Sequence, residues 1–247
     1  EFQAGAVAKR SEDALWLAIV SLDKAVEGGK LSQRERLGRL SALYLQKFPK
    51  SERSARLLLR QTAAELLTPE RAEILLGVEK ESPLYEAARR QAASVLYGMY
   101  RGGRGKDRDF AALRFAEISE ELLKIDSARL SDAATADREQ VTAQILVRVR
   151  QVLDVVLGMA APDVDRAEKA FQLLDLVTIT AGLDLKQVED ELTYRRLQIA
   201  LARGRTDDIT RSLDKLRGLG GRFADAADRL MYKRALSSFD TPNPPPG

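Results

Sequence analysis

Histidine and cysteine are both missing from the 247 residues, and only 6% of the chain is aromatic. Without imidazole there is no histidine general base and no histidine-ligated metal. Without thiol there is no disulfide, thiolate nucleophile or thiolate zinc site. So small an aromatic complement argues against a base-stacking sheet surface and a deep aromatic ligand pocket. No apolar run reaches the length of about 18 residues that reads as a membrane-spanning helix. Charge of one sign is scarce too: 40 Lys+Arg against 37 Asp+Glu leaves +3, which sets up no overall field for nucleic acid or lipid. Neither a metal nor a cofactor is expected, nor is nucleic acid as a partner.

The charge that is present is unevenly placed. Residues 30–60 carry nine basic side chains against Glu35 and Glu52, and residues 195–234 carry eleven against five acidic ones. Residues 111–140 run acidic. Solvated helix faces account for most such patterns, and a docking surface for an anionic partner is the alternative.

A 3.6-residue apolar period runs through almost the whole chain, while strand-like alternation is nearly absent. Ser11, with Glu12 and Asp13 behind it, opens a helix on the stripe Leu15, Ile19, Leu22 and Val26, ended by Gly28 and Gly29. Ser32 and Glu35 have capping-box spacing for a second, on Leu37, Leu40, Tyr44 and Phe48, stopped by Pro49. Ser51 caps a third through Leu58, Leu59, Leu66 and Leu67. Thr68-Pro69 and Ser82-Pro83 open the next two. Asp109 caps a helix through Ile125, and another spans about 136–160. The last third predicts helices from Asp163 to Gly182, from Asp184 and Gln187 to Gly204, from Thr206 to Gly218, and from Phe223 to Ser237. The Pro-rich tail cannot be helical.

About eleven antiparallel helices joined by short loops stack most economically as an all-α solenoid of hairpins with a period near 40 residues. A compact bundle is the competing fold, and it requires a helix that is apolar on all sides. Part of 141–160 is the sole candidate for one. The expected organisation is a disordered or extraneous leader over 1–10, the repeat domain over 11–238 and a linker over 239–247, in a fragment of a larger protein.

Thr193–Arg203, the Gly204 turn and Ile209–Leu216, with Ala200 and Leu213 at the packing positions, resemble a degenerate tetratricopeptide repeat. Arg196 stands where that family has an apolar residue, and Gly221 where it has proline. Residues 92–125 (Ala92, Leu96, Tyr100, Ala112 and Ile118) resemble a second, looser unit, and 44–51 resembles an inter-repeat junction of divergent bacterial members. The resemblance implies a right-handed superhelix that binds other proteins. At the level of architecture the chain is also similar to the solenoids of vesicle coats and coat-like bacterial proteins. That likeness implies a peripheral scaffold on anionic membrane.

Three features are candidate partner contacts. Arg53, Arg56 and Arg60 lie a turn apart on one helix face. The segment 101–108 offers Arg101, Arg104, Lys106 and Arg108 in a glycine-rich turn, without the residues of a phosphate-binding P-loop. Trp16, beside the first stripe, packs either on the second helix or on a neighbouring repeat. No catalytic residue is assigned. Glu120-Glu121 and Glu189-Asp190-Glu191 have helical ion-pair partners in Lys124 and Arg195, and Asp163 and Asp165 lack the further ligands of a calcium loop. The expected role is a non-enzymatic protein-binding scaffold whose partner the residues do not name. The compartment is cytoplasm or periplasm, with a peripheral membrane contact as the alternative.

Overall fold

Most stripe positions placed by periodicity lie on helical backbone in the computed structural model, which describes residues 2–61, 67–132 and 135–239. Phe48 and Leu67 do not, and the helix opened by Ser51 ends at Leu59. The eleven α-helices of these residues are α1 (Phe2–Glu27), α2 (Arg34–Lys47), α3 (Glu52–Leu59), α4 (Pro69–Leu76), α5 (Tyr85–Gly102), α6 (Gly105–Asp132), α7 (Thr135–Leu157), α8 (Val164–Ala181), α9 (Glu189–Arg203), α10 (Thr206–Leu219) and α11 (Gly221–Phe239). No strand occurs among the described residues. Leu66 and residues 240–247 of the Pro-rich tail lie outside them.

Helix starts were legible where a side chain caps them. Ser51 Oγ accepts from Arg53 N, Thr68 Oγ1 from Arg71 N ahead of Pro69, and Asp163 Oδ1 from Arg166 N. Several expected starts are corrected. α5 starts at Tyr85 behind an uncapped Leu84 rather than at Ser82-Pro83, and α11 starts at Gly221 rather than Phe223. α1 begins at Phe2, so the segment read as a disordered leader carries helical backbone ahead of Ser11. The Ser32–Glu35 box does not form. A 3-10 turn takes up Leu31–Gln33, and α2 starts behind an uncapped Gln33. α6 starts at Gly105, four residues before Asp109. Asp184 caps a 3-10 turn at Lys186–Val188 rather than α9 itself, and Thr206 is the first residue of α10 with no capping bond.

The chain divides into two compact units, 1–114 and 115–247, and the division falls within α6 and within the looser repeat read over 92–125. In the first unit α1 packs on α2, α2 on α3, and α3 on both α4 and α5. Ile19, Tyr44 and Leu57 bury one centre with Trp16 and Phe48 against it. Ala88, Ala92, Ala93, Val95 and Leu96 on α5 are fully buried, the alanines keeping that face thin.

In the second unit α7 packs on α8 and α9, and α9 packs on α8, α10 and α11. Leu197, Leu216, Ala224 and Ala227 form the centre of the last three helices. Val152, Leu153, Val155, Val156 and Leu157 are all buried, so only the last turns of α7 are enclosed on every side. Val147, earlier on the same helix, is 51% exposed.

Candidate functional site

The expected cationic face of α3 is tied to α1. Arg53 donates to Asp13 at 2.6 Å and lies over the Trp16 ring, 5.5 Å from its centroid. Arg56 pairs with Glu52 at 3.1 Å on its own helix. Arg60 pairs with Asp23 and, at 3.0 Å, with Glu27. Trp16 packs on Tyr44 of α2, with ring centroids 5.7 Å apart, the first of its two expected contacts. Beside them Glu12 accepts hydrogen bonds from Ser51 at 2.6 Å and from the buried Tyr44 at 2.7 Å. The Ser51 bond, then the Tyr44 bond, hold the Glu12 carboxyl below its ordinary range. Burial, then the bond to Glu12, pushes the Tyr44 phenol up. Trp16, Arg53 and Arg60 are thus part of how α1, α2 and α3 hold together, while Arg56 is engaged within α3.

The glycine-rich segment is the tight connection from α5 to α6. A side chain on Gly103 would run into the Met99 carbonyl, and Gly105 has φ +56°, so both glycines are required by the turn itself. Arg101 reaches over Tyr97 at 6.0 Å, and Arg108 over Tyr100 at 4.5 Å with a 3.0 Å bond to its hydroxyl. Arg104 and Lys106 are exposed. The structure brings these four cations together at one turn, in a different cluster from the three on α3.

One concavity of the second unit was not legible in the sequence. A groove of about 890 Å³ lies between α8, α9 and α10. One wall is Phe171, Gln172, Asp175 and Thr178. The floor includes Leu192, Thr193, Arg196 and Ala200, and the opposite wall is Asp208, Arg211, Ser212 and Lys215. The loop 183–186 closes one end. Three helices build this surface from residues about forty positions apart, and no local motif marks such an assembly. Arg196, the departure from the repeat pattern, lays its guanidinium on Phe171 at 4.4 Å and pairs with Asp175 at 2.7 Å.

Lys215 pairs with Glu189 at 2.6 Å and Arg205 with Glu168 at 2.8 Å between neighbouring elements of the groove, and Arg211 pairs with Asp208 at 3.3 Å within α10. The hydrogen bond from Arg203 holds the Glu168 carboxyl below its ordinary range. The groove's carboxylates are partnered acceptors, and Phe171, Leu192, Ile199 and Ala200 are buried apolar residues of its lining. The arrangement offers a mixed polar and apolar surface with charges of both signs, chemistry suited to side-chain recognition. Among the described residues no group of three or more acidic side chains stands at metal-binding distance. No family model, no curated protein and no solved structure matches the chain.

Proposed function

We propose that the chain is a non-enzymatic helical-repeat scaffold that binds other proteins, with the α8–α9–α10 groove as its principal docking site. The observation that carries this reading is a recurrent register. Arg150 on α7 meets Glu191 on α9, Asp154 on α7 meets Arg195 on α9, and Glu73 on α4 meets Arg114 on α6, each across 41 residues. The α7–α9 contact and the α4–α6 ion pair thus share one spacing along the chain, which supports a stack of helical hairpins. The turn at Gly204, with φ +68°, and the buried Ala200 and Leu216 support kinship of 193–216 with the tetratricopeptide repeat. Rigid helices then hold groove side chains in fixed positions, so that a partner segment meets a prepared surface.

The coat-like membrane reading is weaker, because it draws on the basic face of α3, whose guanidiniums already serve Asp13, Glu52 and Asp23. The test is site-specific photocrosslinking in the native host. A photoreactive residue at Ser212, inside the groove, is compared with one at Lys24 on the exposed side of α1. A discrete protein adduct from position 212 alone is expected. Adducts only to lipid, or the same adducts from both positions, contradict the proposal.

A further inference from the structure

Two helix–helix contacts among the described residues share one construction. An apolar stripe is flanked by Arg or Lys side chains that meet carboxylates on the neighbouring helix. Between α7 and α9, Arg150 and Asp154, one turn apart, face Glu191 and Arg195, also one turn apart. Between α1 and α3, Arg53 and Arg60 meet Asp13 and Asp23. One helix carries half of such a contact without its counterpart.

α9 is buried on both sides: Leu192, Thr193, Leu197, Ile199 and Ala200 are all inaccessible, and the helix packs on α7, α8, α10 and α11. α11 packs on α9 and α10 through Ala224 and Ala227. Its opposite side presents Tyr232 at 65% exposure and Leu236 at 46%. Arg229, Tyr232, Lys233 and Leu236 follow the i, i+3, i+4, i+7 spacing of one helix face. Arg229 and Lys233 are exposed, and neither has an ion-pair partner among the described residues. Arg222, on the same side, lies over Phe223. Asp225 is the one carboxylate on the stripe; Asp228, at its edge, is engaged by Arg217 at 3.5 Å. The face is therefore apolar along its middle and net positive along one flank.

We infer that the outward side of α11 is the docking face for an acidic amphipathic helix of a partner protein. That helix carries an apolar stripe with two carboxylates one turn apart beside it. Tyr232 and Leu236 take the stripe, and Arg229 and Lys233 take the carboxylates in the way that Arg150 takes Glu191. A second copy of α11 fits this face badly. Antiparallel pairing sets its basic flank against itself, and no row of carboxylates on α11 matches Arg229 and Lys233, since Asp228 is engaged by Arg217. The inference is independent of the groove.

The test uses the full chain and a fluorescent, helix-stapled peptide with leucines on one stripe and glutamates at i, i+4 beside it. A matched peptide carries lysines in place of the glutamates. By anisotropy the Glu peptide binds the wild-type chain saturably, and binds R229E/K233E about tenfold or more weakly. The Lys peptide shows the reverse preference, and Y232A/L236A weakens both complexes. All four positions are exposed, so circular dichroism of the variants should match wild type. Absence of saturable binding, or equal affinity of the Glu peptide for wild type and R229E/K233E, overturns the inference. Binding that is lost in a groove variant, Ser212→Trp, and kept in Y232A/L236A overturns it equally, since the peptide then sits in the groove.

Discussion

Asp154 on α7 and Arg195 on α9 lie 41 residues apart in the chain and 2.6 Å apart in space, with side chains only 26% and 14% exposed. One turn earlier on each helix Arg150 and Glu191 repeat the contact at 2.5 Å with the signs exchanged. Two parallel helices locked this way cannot slide by a turn without setting like charges together. Replacing Arg195 by Met should cost about 1–3 kcal/mol in urea unfolding, because a partly buried carboxylate loses its donor. A double-mutant cycle with Asp154→Asn should return a coupling of about 1 kcal/mol. A coupling of zero would mean that the pair does not set the register.

The Glu12–Tyr44–Ser51 cluster gives a pH signature. The Glu12 carboxyl titrates below its unfolded value, so its contribution is present above the unfolded pKa and lost as pH falls through the folded one. Tyr44 is pushed the other way, so its share is present below the unfolded phenol pKa and lost as pH rises through the folded one. Glu12→Gln should therefore flatten the acid limb of the stability profile, and Tyr44→Phe the alkaline limb. Tyr44→Phe should itself cost about 1 kcal/mol near neutrality. Unchanged limbs in both variants would remove the cluster from the forces holding α1 to α2 and α3.

In the α5–α6 turn, glycines and cations should separate cleanly. Gly105→Ala, at φ +56°, should destabilise by about 1 kcal/mol or more. Gly103→Ala should be worse, because its new methyl group meets the Met99 carbonyl. Arg104→Ala and Lys106→Ala should stay within about 0.5 kcal/mol, both side chains being exposed. Thermal melts of the four variants decide. A large loss from either cation would show that the loop charges hold the fold.

Much of the helical plan was readable from the chain because its signals are local. A serine or threonine before a proline, an aspartate three residues ahead of a free N–H, and a glycine at positive φ after an apolar stripe each act within one turn. Thr68, Asp163, Gly182 and Gly204 all behaved so. Ser32 carried an equally good signal and failed, because the chain leaving Gly29 tightens into a 3-10 turn through Leu31–Gln33. The candidate contacts show the same divide. Helical spacing grouped Arg53, Arg56 and Arg60, but it had no means of placing Asp13 against Arg53 or Asp23 against Arg60, both aspartates lying upstream on α1. The groove and the α11 stripe depend on which helices become neighbours, and adjacency of that kind is not written in any single segment.

The central claim is that helices are stabilised by their immediate neighbours along the row. Native-state hydrogen exchange on Leu216→Ala tests it most directly. Leu216 is fully buried among Leu197, Ala224 and Ala227, and its truncation should cost about 2–5 kcal/mol locally. A stack of helix pairs predicts lost protection in α9, α10 and α11, with amides of α7 and α8 holding near wild-type rates. Equal loss of protection in all five helices would mean one undivided core, and would contradict the helical-repeat scaffold.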